Sequence, residues 1–193
     1  MLDNLSSYRI LLASNSPRRR ELLSGLGIDY KTVTLPAIDE SYPDGLSGEE
    51  IPVFIARHKA EAYKHLMDVS TMLITADTIV WSDNKVYGKP VDADDAKRML
   101  RELSGRTHTV ITGVVITTKA KQCAFAVSSE VSFAELSDEE IEYYVTRYNP
   151  IDKAGAYGIQ EWIGYIGVTG LSGSYFNVMG LPVQRLYQEL KRW

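Results

Sequence analysis

Apolar and polar positions along this chain follow two periods, one typical of strands and the other of helices. The apolar run at residues 8–13 predicts a buried strand, and the run at 72–81, apolar on both faces, predicts a central strand. Apolar residues at helical spacing predict helices from Ser47 to about Met67, from Asp92 to Gly105 and from about Pro182 to Lys191. Strands and helices therefore alternate through the first half of the chain.

Strand patterns dominate the second half. Two β-rich stretches lie at 107–117 and 124–134, and the stretches 162–168 and 174–179 are predicted to form paired strands around a turn at 170–173. Other predicted elements include a strand at 28–35, a hairpin turn at 82–84 that returns through 85–90, and a helix that begins in a capping box at Ser137 and ends at Asn149. This mixture predicts an α/β or α+β fold, built on a mixed, twisted sheet with flanking helices.

Composition narrows the class of protein. A length of 193 residues suits one large domain, or two closely joined lobes, and no linker-like segment divides the chain. The net charge of −4 argues against stable binding to nucleic acid. No apolar stretch reaches the ~18 residues of a membrane span, and the N-terminus lacks a signal-peptide pattern. We therefore expect a cytoplasmic protein that does not contact a membrane. The single cysteine, Cys123, excludes an intramolecular disulfide, and its apolar neighbours favour a buried strand thiol over a nucleophile.

The segment after the first strand carries the clearest chemical signal. Ser14, Asn15 and Ser16 form a polar turn, and Pro17 stands where the first residue of a helix is expected. The start of a helix attracts anions, and the guanidinium groups of Arg18 and Arg19 would add two-pronged binding of phosphate or carboxylate oxygens. The alternative is that both arginines are solvated surface charges. For Ser14 and Ser16 the pattern favours capping over a nucleophilic role.

Asp77 is the second signal, because an ionised carboxylate inside an apolar strand is costly unless a cation or metal compensates it. The alternative is an aspartate at a strand end, bonded to a neighbouring turn. By residue type alone, Glu40 favours a solvated loop, and Lys59 and Lys89 favour surface charges. Taken together these residues suit a polyphosphate with a divalent ion, Mg²⁺ or Mn²⁺. Neither a Walker motif nor GxGxxG offers another phosphate loop.

These residues stand in motifs that resemble the Maf-like family of nucleoside triphosphate pyrophosphatases, and in particular its dTTP/UTP subgroup. The resemblance covers essentially the whole chain and rests on motifs in the family's order, namely Ala13–Arg19 with Glu21–Leu23, Ile38–Glu40, Arg57–Ala60, Ala76–Val80, Gly88–Pro90, Leu103–His108, Asp152–Gln160 and Gly180–Pro182. The segment that begins at Glu161 departs from the glycine often found directly after the glutamine.

The resemblance implies hydrolysis of a nucleoside triphosphate between the α- and β-phosphates, in an inosine triphosphatase-like fold with two lobes around a nucleotide cleft. By position, Asp77 matches the catalytic proton acceptor. Glu40 matches an acidic residue that, with Asp77, helps to hold a metal. The remaining matches are Arg19, Thr78 and Gln160 for substrate choice, and Ser14, Arg18, Lys59 and Lys89 for phosphate binding.

Two other functions stay open. One is a pyrophosphatase that removes modified nucleotides from the pool, and the other is a nucleotide-sensing regulator of cell division without meaningful turnover. The sequence itself gives no oligomeric state, and a homodimer is an option that only the resemblance suggests.

Overall fold

The computed structural model describes residues 2–34 and 38–193. Its seven strands are β1 Arg9–Ala13, β2 Lys31–Val33, β3 Thr71–Ser82, β4 Lys85–Tyr87, β5 Thr107–Thr117, β6 Gln122–Phe133 and β7 Val168–Ser172. The α-helices in these residues are α1 Pro17–Ser24, α2 Glu50–Ala62, α3 Ala93–Leu103, α4 Asp138–Tyr148, α5 Trp162–Gly167, α6 Tyr175–Val178 and α7 Val183–Lys191.

The strands form a mixed sheet in the order β2-β1-β3-β5-β6-β7, and β4 pairs with β3. Strand β1 is parallel to both β2 and β3, whereas β3 is antiparallel to β4 and β6 is antiparallel to β7. The chain divides into two compact units. The first unit consists of Met1–Asp77, Thr112–Val127 and Gly180–Trp193, and the second consists of Thr78–Ile111 and Ser128–Met179. Strands β3, β5 and β6 each contribute residues to both units.

The first unit packs α2 against its part of the sheet. Its core includes Leu11 and Leu73 from the strands and Ala56 and Ala60 from α2, all nearly or fully buried. Gly113 on β5 permits this close approach, since a Cβ at that position would lie 2.4 Å from the carbonyl carbon of Pro52. The position of α2 against the sheet therefore depends on a residue without a side chain.

The second unit contains a tight hairpin and a pair of packed helices. The β3–β4 turn places Asp83 and Asn84 at φ values of 51° and 59°, a backbone region that these short polar residues tolerate. Helix α4 begins with the complete capping box that the sequence predicts at Ser137. Helices α3 and α4 are joined at the surface by an ion pair between Arg101 and Asp138 at 2.6 Å.

Two boundaries in the first unit differ from the sequence-based expectations. Helix α2 ends at Ala62, earlier than the predicted Met67, and continues as a short 3₁₀ turn, Lys64–Leu66. Its capping box is half formed, because the Glu50 carboxylate accepts from the Ser47 amide at 3.1 Å but the Ser47 hydroxyl caps no helical amide. The predicted strand at 28–35 is seen only as β2, and Leu35 lies outside the described residues.

The prediction of paired strands at 162–168 and 174–179 is wrong. Residues Trp162–Gly167 form α5, Val168–Ser172 form β7 beside β6, and Tyr175–Val178 form α6. A Cβ on Gly164 would lie 1.8 Å from the carbonyl oxygen of Ile159, so only glycine allows this helical turn. The hydroxyl of Ser174 accepts from the amide of Asn177 at 3.3 Å and thereby caps α6.

None of the helices in the described part of the chain combines the length and the hydropathy needed to cross a bilayer.

Candidate active site

The turn between β1 and α1 is held by its own serines. The hydroxyl of Ser14, which is buried, accepts from the amide of Ser16 at 3.2 Å, and the hydroxyl of Ser16 accepts from the amide of Arg19 at 3.4 Å. Pro17 is the first residue of the helix, as predicted. The turn therefore fixes the start of α1, where backbone N–H groups and the helix dipole favour an anion.

Arg19 is partly buried and fixed in place, so it is not a solvated surface charge. Its Nε donates to the carbonyl oxygen of Gly180 at 2.8 Å. Burial lowers the pKa of the Arg19 guanidinium and Asp77 opposes this shift, while Arg18 lowers the pKa further and Glu40 raises it. Arg19 therefore lies within electrostatic range of Arg18 and of both candidate carboxylates.

Asp77 lies inside β3, so it is not an aspartate at a strand end, and it is 7% exposed. Its Oδ1 accepts from Lys59 Nζ at 2.7 Å, and Lys59 is 9% exposed. The expectation from residue type that Lys59 is a surface charge is therefore wrong. Between these two elements, the Thr75 hydroxyl donates to the carbonyl oxygen of Ala56 at 2.7 Å. This bond ties β3 to α2 and brings the lysine opposite the aspartate.

Glu40 is a second, more exposed carboxylate that pairs with Lys59. Its Oε1 lies 2.8 Å from Lys59 Nζ, and the glutamate side chain keeps 40% of its surface exposed. Asp39 holds the backbone here, because its carboxylate accepts from the amide of Ser41 at 2.9 Å and from the Ser41 hydroxyl at 2.8 Å. One ammonium group therefore binds two carboxylates that come from separate segments of the chain.

The carboxylates of Glu40 and Asp77 also suit a divalent cation. Among the described residues no group of three or more His, Cys, Asp or Glu side chains is arranged to hold a metal. Mg²⁺ does not require such a group, because in nucleotide enzymes it is commonly bound by one or two carboxylates together with the substrate phosphates. The oxygen donors present are therefore of the right kind and number for a metal that arrives with a polyphosphate.

The predicted residues divide between the two units. The first unit brings Ser14, Arg18 and Arg19 to the end of β1, where Ala13 is in register with Thr75, two residues before Asp77. The other residues of the first unit are Glu40, Lys59 and Asp77, and those of the second unit are Thr78, Lys89 and Gln160.

Within the second unit the three predicted residues differ in environment. Thr78 is half-buried on β3, and Lys89 is exposed, as its residue type suggests. Gln160 is half-buried, and its Oε1 is a buried acceptor that no donor among the described residues satisfies. A buried acceptor without a donor is uncommon in folded proteins and is a candidate contact for a ligand.

Sequence reasoning missed a second buried lysine in the Asp152–Gln160 motif. Lys153 is 7% exposed and pairs with Asp152 at 2.7 Å and with Glu161 at 3.2 Å. The feature of the sequence that indicates the burial of Lys153 is its position among small apolar residues. Cys123 is half-buried on β6, and its Sγ lies 3.8 Å from a carboxylate oxygen of Glu189.

A comparison with known families shows to which family the chain belongs. The sequence pattern of the family described as Maf-like protein matches residues 9–193. The chain belongs to the Maf-like family. The resemblance found in its motifs is thereby confirmed.

Curated relatives of this Maf-like protein match it from end to end. A dTTP/UTP pyrophosphatase of Phocaeicola vulgatus is 65% identical over 192 residues, and one of Bacteroides fragilis is 62% identical over 192 residues. In both cases the match covers 100% of this chain and 100% of the relative.

A solved structure shares the fold. A HAM1 protein from Coxiella burnetii superposes with a TM-score of 0.53 at 16% identity, covering 96% of the Maf-like protein and 100% of the HAM1 chain. Together with the mixed sheet and its flanking helices, this match confirms the fold class expected from the sequence.

Proposed function

We propose that this protein hydrolyses dTTP and UTP to the nucleoside monophosphate and pyrophosphate. The observation that carries the proposal is the buried Asp77 carboxylate, held on β3 by Lys59 and within electrostatic range of Arg19. A fixed carboxylate beside fixed cations suits the activation of water next to a polyphosphate. The names of relatives at 65% and 62% identity support the choice of substrates.

In the proposed reaction Asp77 accepts a proton from the attacking water. The water oxygen forms a bond to the α-phosphorus while the bond from that phosphorus to the bridging oxygen breaks, and pyrophosphate leaves with the electron pair. Positioning and electrostatic stabilisation supply most of the acceleration in transfers of this kind. The task of the protein is therefore to fix the triphosphate and the water in line.

Four cationic side chains are assigned to the phosphates. Arg18 and Arg19 present guanidinium groups at the start of α1, and Ser14 orders the turn that exposes its backbone N–H groups. Lys59 and Lys89 are assigned to the same task as point charges. Mg²⁺ or Mn²⁺, held by Glu40 and Asp77, would supply further positive charge to the triphosphate.

Gln160 is assigned to the base. A glutamine amide accepts at Oε1 and donates at Nε2, and this pattern complements the N3–H and the neighbouring carbonyl of thymine or uracil. Cytosine has no N3–H at neutral pH, so it cannot satisfy the Gln160 acceptor. Thr78 is proposed to contribute to the same choice. We also propose a cytoplasmic location, and a homodimer as an assembly to be tested.

Pyrophosphate release by the wild type and by Asp77→Asn tests the proposal. With dTTP and either Mg²⁺ or Mn²⁺ we expect turnover by the wild type and a loss of about 10²–10⁴-fold in the variant. Asp83→Asn is the matched control, because Asp83 lies in the exposed hairpin turn, where asparagine tolerates the positive φ of 51°. Near-normal turnover by Asp77→Asn would refute the assigned role.

A panel of nucleotides separates the rival functions. Preference for dTTP and UTP over modified nucleotides supports the proposed substrates, whereas the opposite order supports removal of modified nucleotides. Binding of nucleotides without pyrophosphate release would identify a sensor.

A further inference from the structure

Four side chains form a polar network around the segment that carries Gln160. The Lys153 ammonium lies 2.7 Å from Asp152 Oδ1 and 3.2 Å from Glu161 Oε1. Asp152 is largely exposed, while the side chains of Lys153 and Glu161 are 8% and 19% exposed. A buried ammonium is costly unless it is paired, so Glu161 is the inner partner that keeps Lys153 in place.

Tyr144 on α4 joins the network through the second carboxylate oxygen of Glu161. Its hydroxyl donates to Glu161 Oε2 and accepts from the backbone amide of Gly158 at 3.0 Å. The tyrosine is completely buried. Both oxygens of Glu161 are therefore engaged, one by Lys153 and the other by Tyr144, and the amide of Gly158 is tied to the same hydroxyl.

Gln160 lies between two of these fixed points, Gly158 and Glu161. A Cβ on Gly158 would lie 3.0 Å from Gln160 Nε2 and 2.9 Å from Glu161 Cδ. The absence of a side chain at Gly158 therefore lets the Gln160 and Glu161 side chains fold back over the backbone. The Gln160 Oε1 acceptor stays without a donor among the residues that the structure describes.

We propose that Glu161 and Tyr144 are positioning residues for base recognition and act through Gln160. The network fixes the backbone on both sides of Gln160, so the amide group is presented in one orientation before the nucleotide binds. A preorganised amide distinguishes a base with N3–H from one without it better than a mobile amide does. This inference rests on the proposed function, and it assigns the task to a glutamate at a position where the family often has glycine.

The test compares Glu161→Gln, Tyr144→Phe and Gln160→Ala, each alone, with the double variant Gln160→Ala/Glu161→Gln. The readout is the ratio of kcat/KM for UTP to that for CTP, measured by pyrophosphate release. Glu142→Gln is the matched control. Glu142 belongs to α4, as Tyr144 does, and pairs at 2.6 Å with a lysine, Lys97, that is not part of this network. Circular dichroism and thermal unfolding establish that each variant is folded.

We expect Glu161→Gln and Tyr144→Phe to lower the UTP/CTP ratio by about tenfold or more, as the loss of a charge-assisted hydrogen bond predicts. In the Gln160→Ala background Glu161→Gln should change the ratio by less than about twofold, because residues that act through one another are not additive. An unchanged ratio in folded Glu161→Gln would overturn the proposal. So would an equal fall in the Gln160→Ala background, or the same fall in Glu142→Gln.

A second readout separates this inference from the proposed function. Dissociation constants for UTP and CTP analogues with an imido group between the α- and β-phosphates report base discrimination without turnover. If the wild type releases no pyrophosphate, the proposed function fails, and the same set of variants is judged by the ratio of these constants. Equal affinity of the wild type for both analogues would overturn the inference as well.

Discussion

Lys59 Nζ lies 2.7 Å from Asp77 Oδ1, and each of the two residues keeps less than a tenth of its surface exposed. The pair joins α2 to β3, and its two residues are 18 positions apart in the chain. Removing one member of a buried ion pair leaves an uncompensated charge, and this costs more than the pair contributes relative to an apolar replacement. The stability of the protein therefore depends on keeping both charges or neither.

Lys59→Met should lower the free energy of unfolding by about 3–5 kcal/mol, because the Asp77 carboxylate loses its buried partner. Urea denaturation followed by circular dichroism measures the change. In Lys59→Met/Asp77→Asn the loss should be smaller than the sum of the two single losses. Lys64→Met, which breaks an exposed pair with Glu61, serves as the control and should have little effect. Additive losses in the double variant would mean that the two residues do not stabilise each other.

Arg19→Lys should lower kcat/KM for dTTP by about tenfold or more, since lysine keeps the charge but loses the planar donor group. The Nε donor to Gly180 disappears with the guanidinium, so the replacement ammonium is no longer held at the start of α1. Initial rates at varied dTTP concentration give the value. Arg20→Lys is the matched control one residue away, because Arg20 is exposed. If both variants behave alike, the position of Arg19 is not what matters.

Local signals in the sequence predicted most of the fold. Ser16, Asp92 and Ser137 each cap the helix that was expected to follow, because capping depends on residues only three positions away. The stretch at 162–168 failed for the opposite reason. Its apolar residues and glycines suit a strand or a helix equally, and the choice depends on the close contact of Gly164 with the Ile159 carbonyl.

In the candidate site, too, local features could be predicted and features that depend on distant segments could not. The turn at Ser14–Arg19 and the buried Asp77 could be predicted from the chain, because each is a departure from a local pattern. The burial of Lys59 could not, because it depends on Asp77 and Glu40, which come from other segments. Lys153 stands among small apolar residues that indicate burial, but its pairing could not be predicted, because its inner partner Glu161 lies eight positions further along the chain.

Gly113→Ala should destabilise the protein by about 1–3 kcal/mol or more, because the added methyl group would lie 2.4 Å from the backbone of Pro52 and Val53. For a chain of this length each kcal/mol corresponds to a fall in Tm of about 2–4 °C. Differential scanning calorimetry provides the comparison with Gly88→Ala, where no atom lies within 4 Å of the added carbon. Equal Tm values for the two variants would show that α2 can move away from β5 at little cost.

His108 should make the stability of the protein depend on pH between about 4 and 6.5. Burial lowers the pKa of His108 from 6.5 to about 4. The imidazole lies edge-on to Phe133, and its Nε2 is 2.7 Å from the Tyr157 hydroxyl. Between these two pH values the unfolded chain binds a proton that the folded protein excludes, so the free energy of unfolding rises with pH. The contribution is complete above pH 6.5 and is lost as the pH falls towards 4.

Replacing His108 by glutamine removes this titration, so the free energy of unfolding should depend less steeply on pH. Between pH 6.5 and pH 4 the free energy of unfolding of the wild type should fall by about 3 kcal/mol more than that of His108→Gln. This figure corresponds to about 1.4 kcal/mol for each pKa unit. Urea unfolding at a series of pH values from 4 to 7.5 measures both proteins, and the difference between them cancels the titration of the acidic residues that they share. His65→Gln is the matched control, because His65 is exposed and its replacement should leave the wild-type slope intact. A wild-type slope that survives in His108→Gln would place the titration on another group.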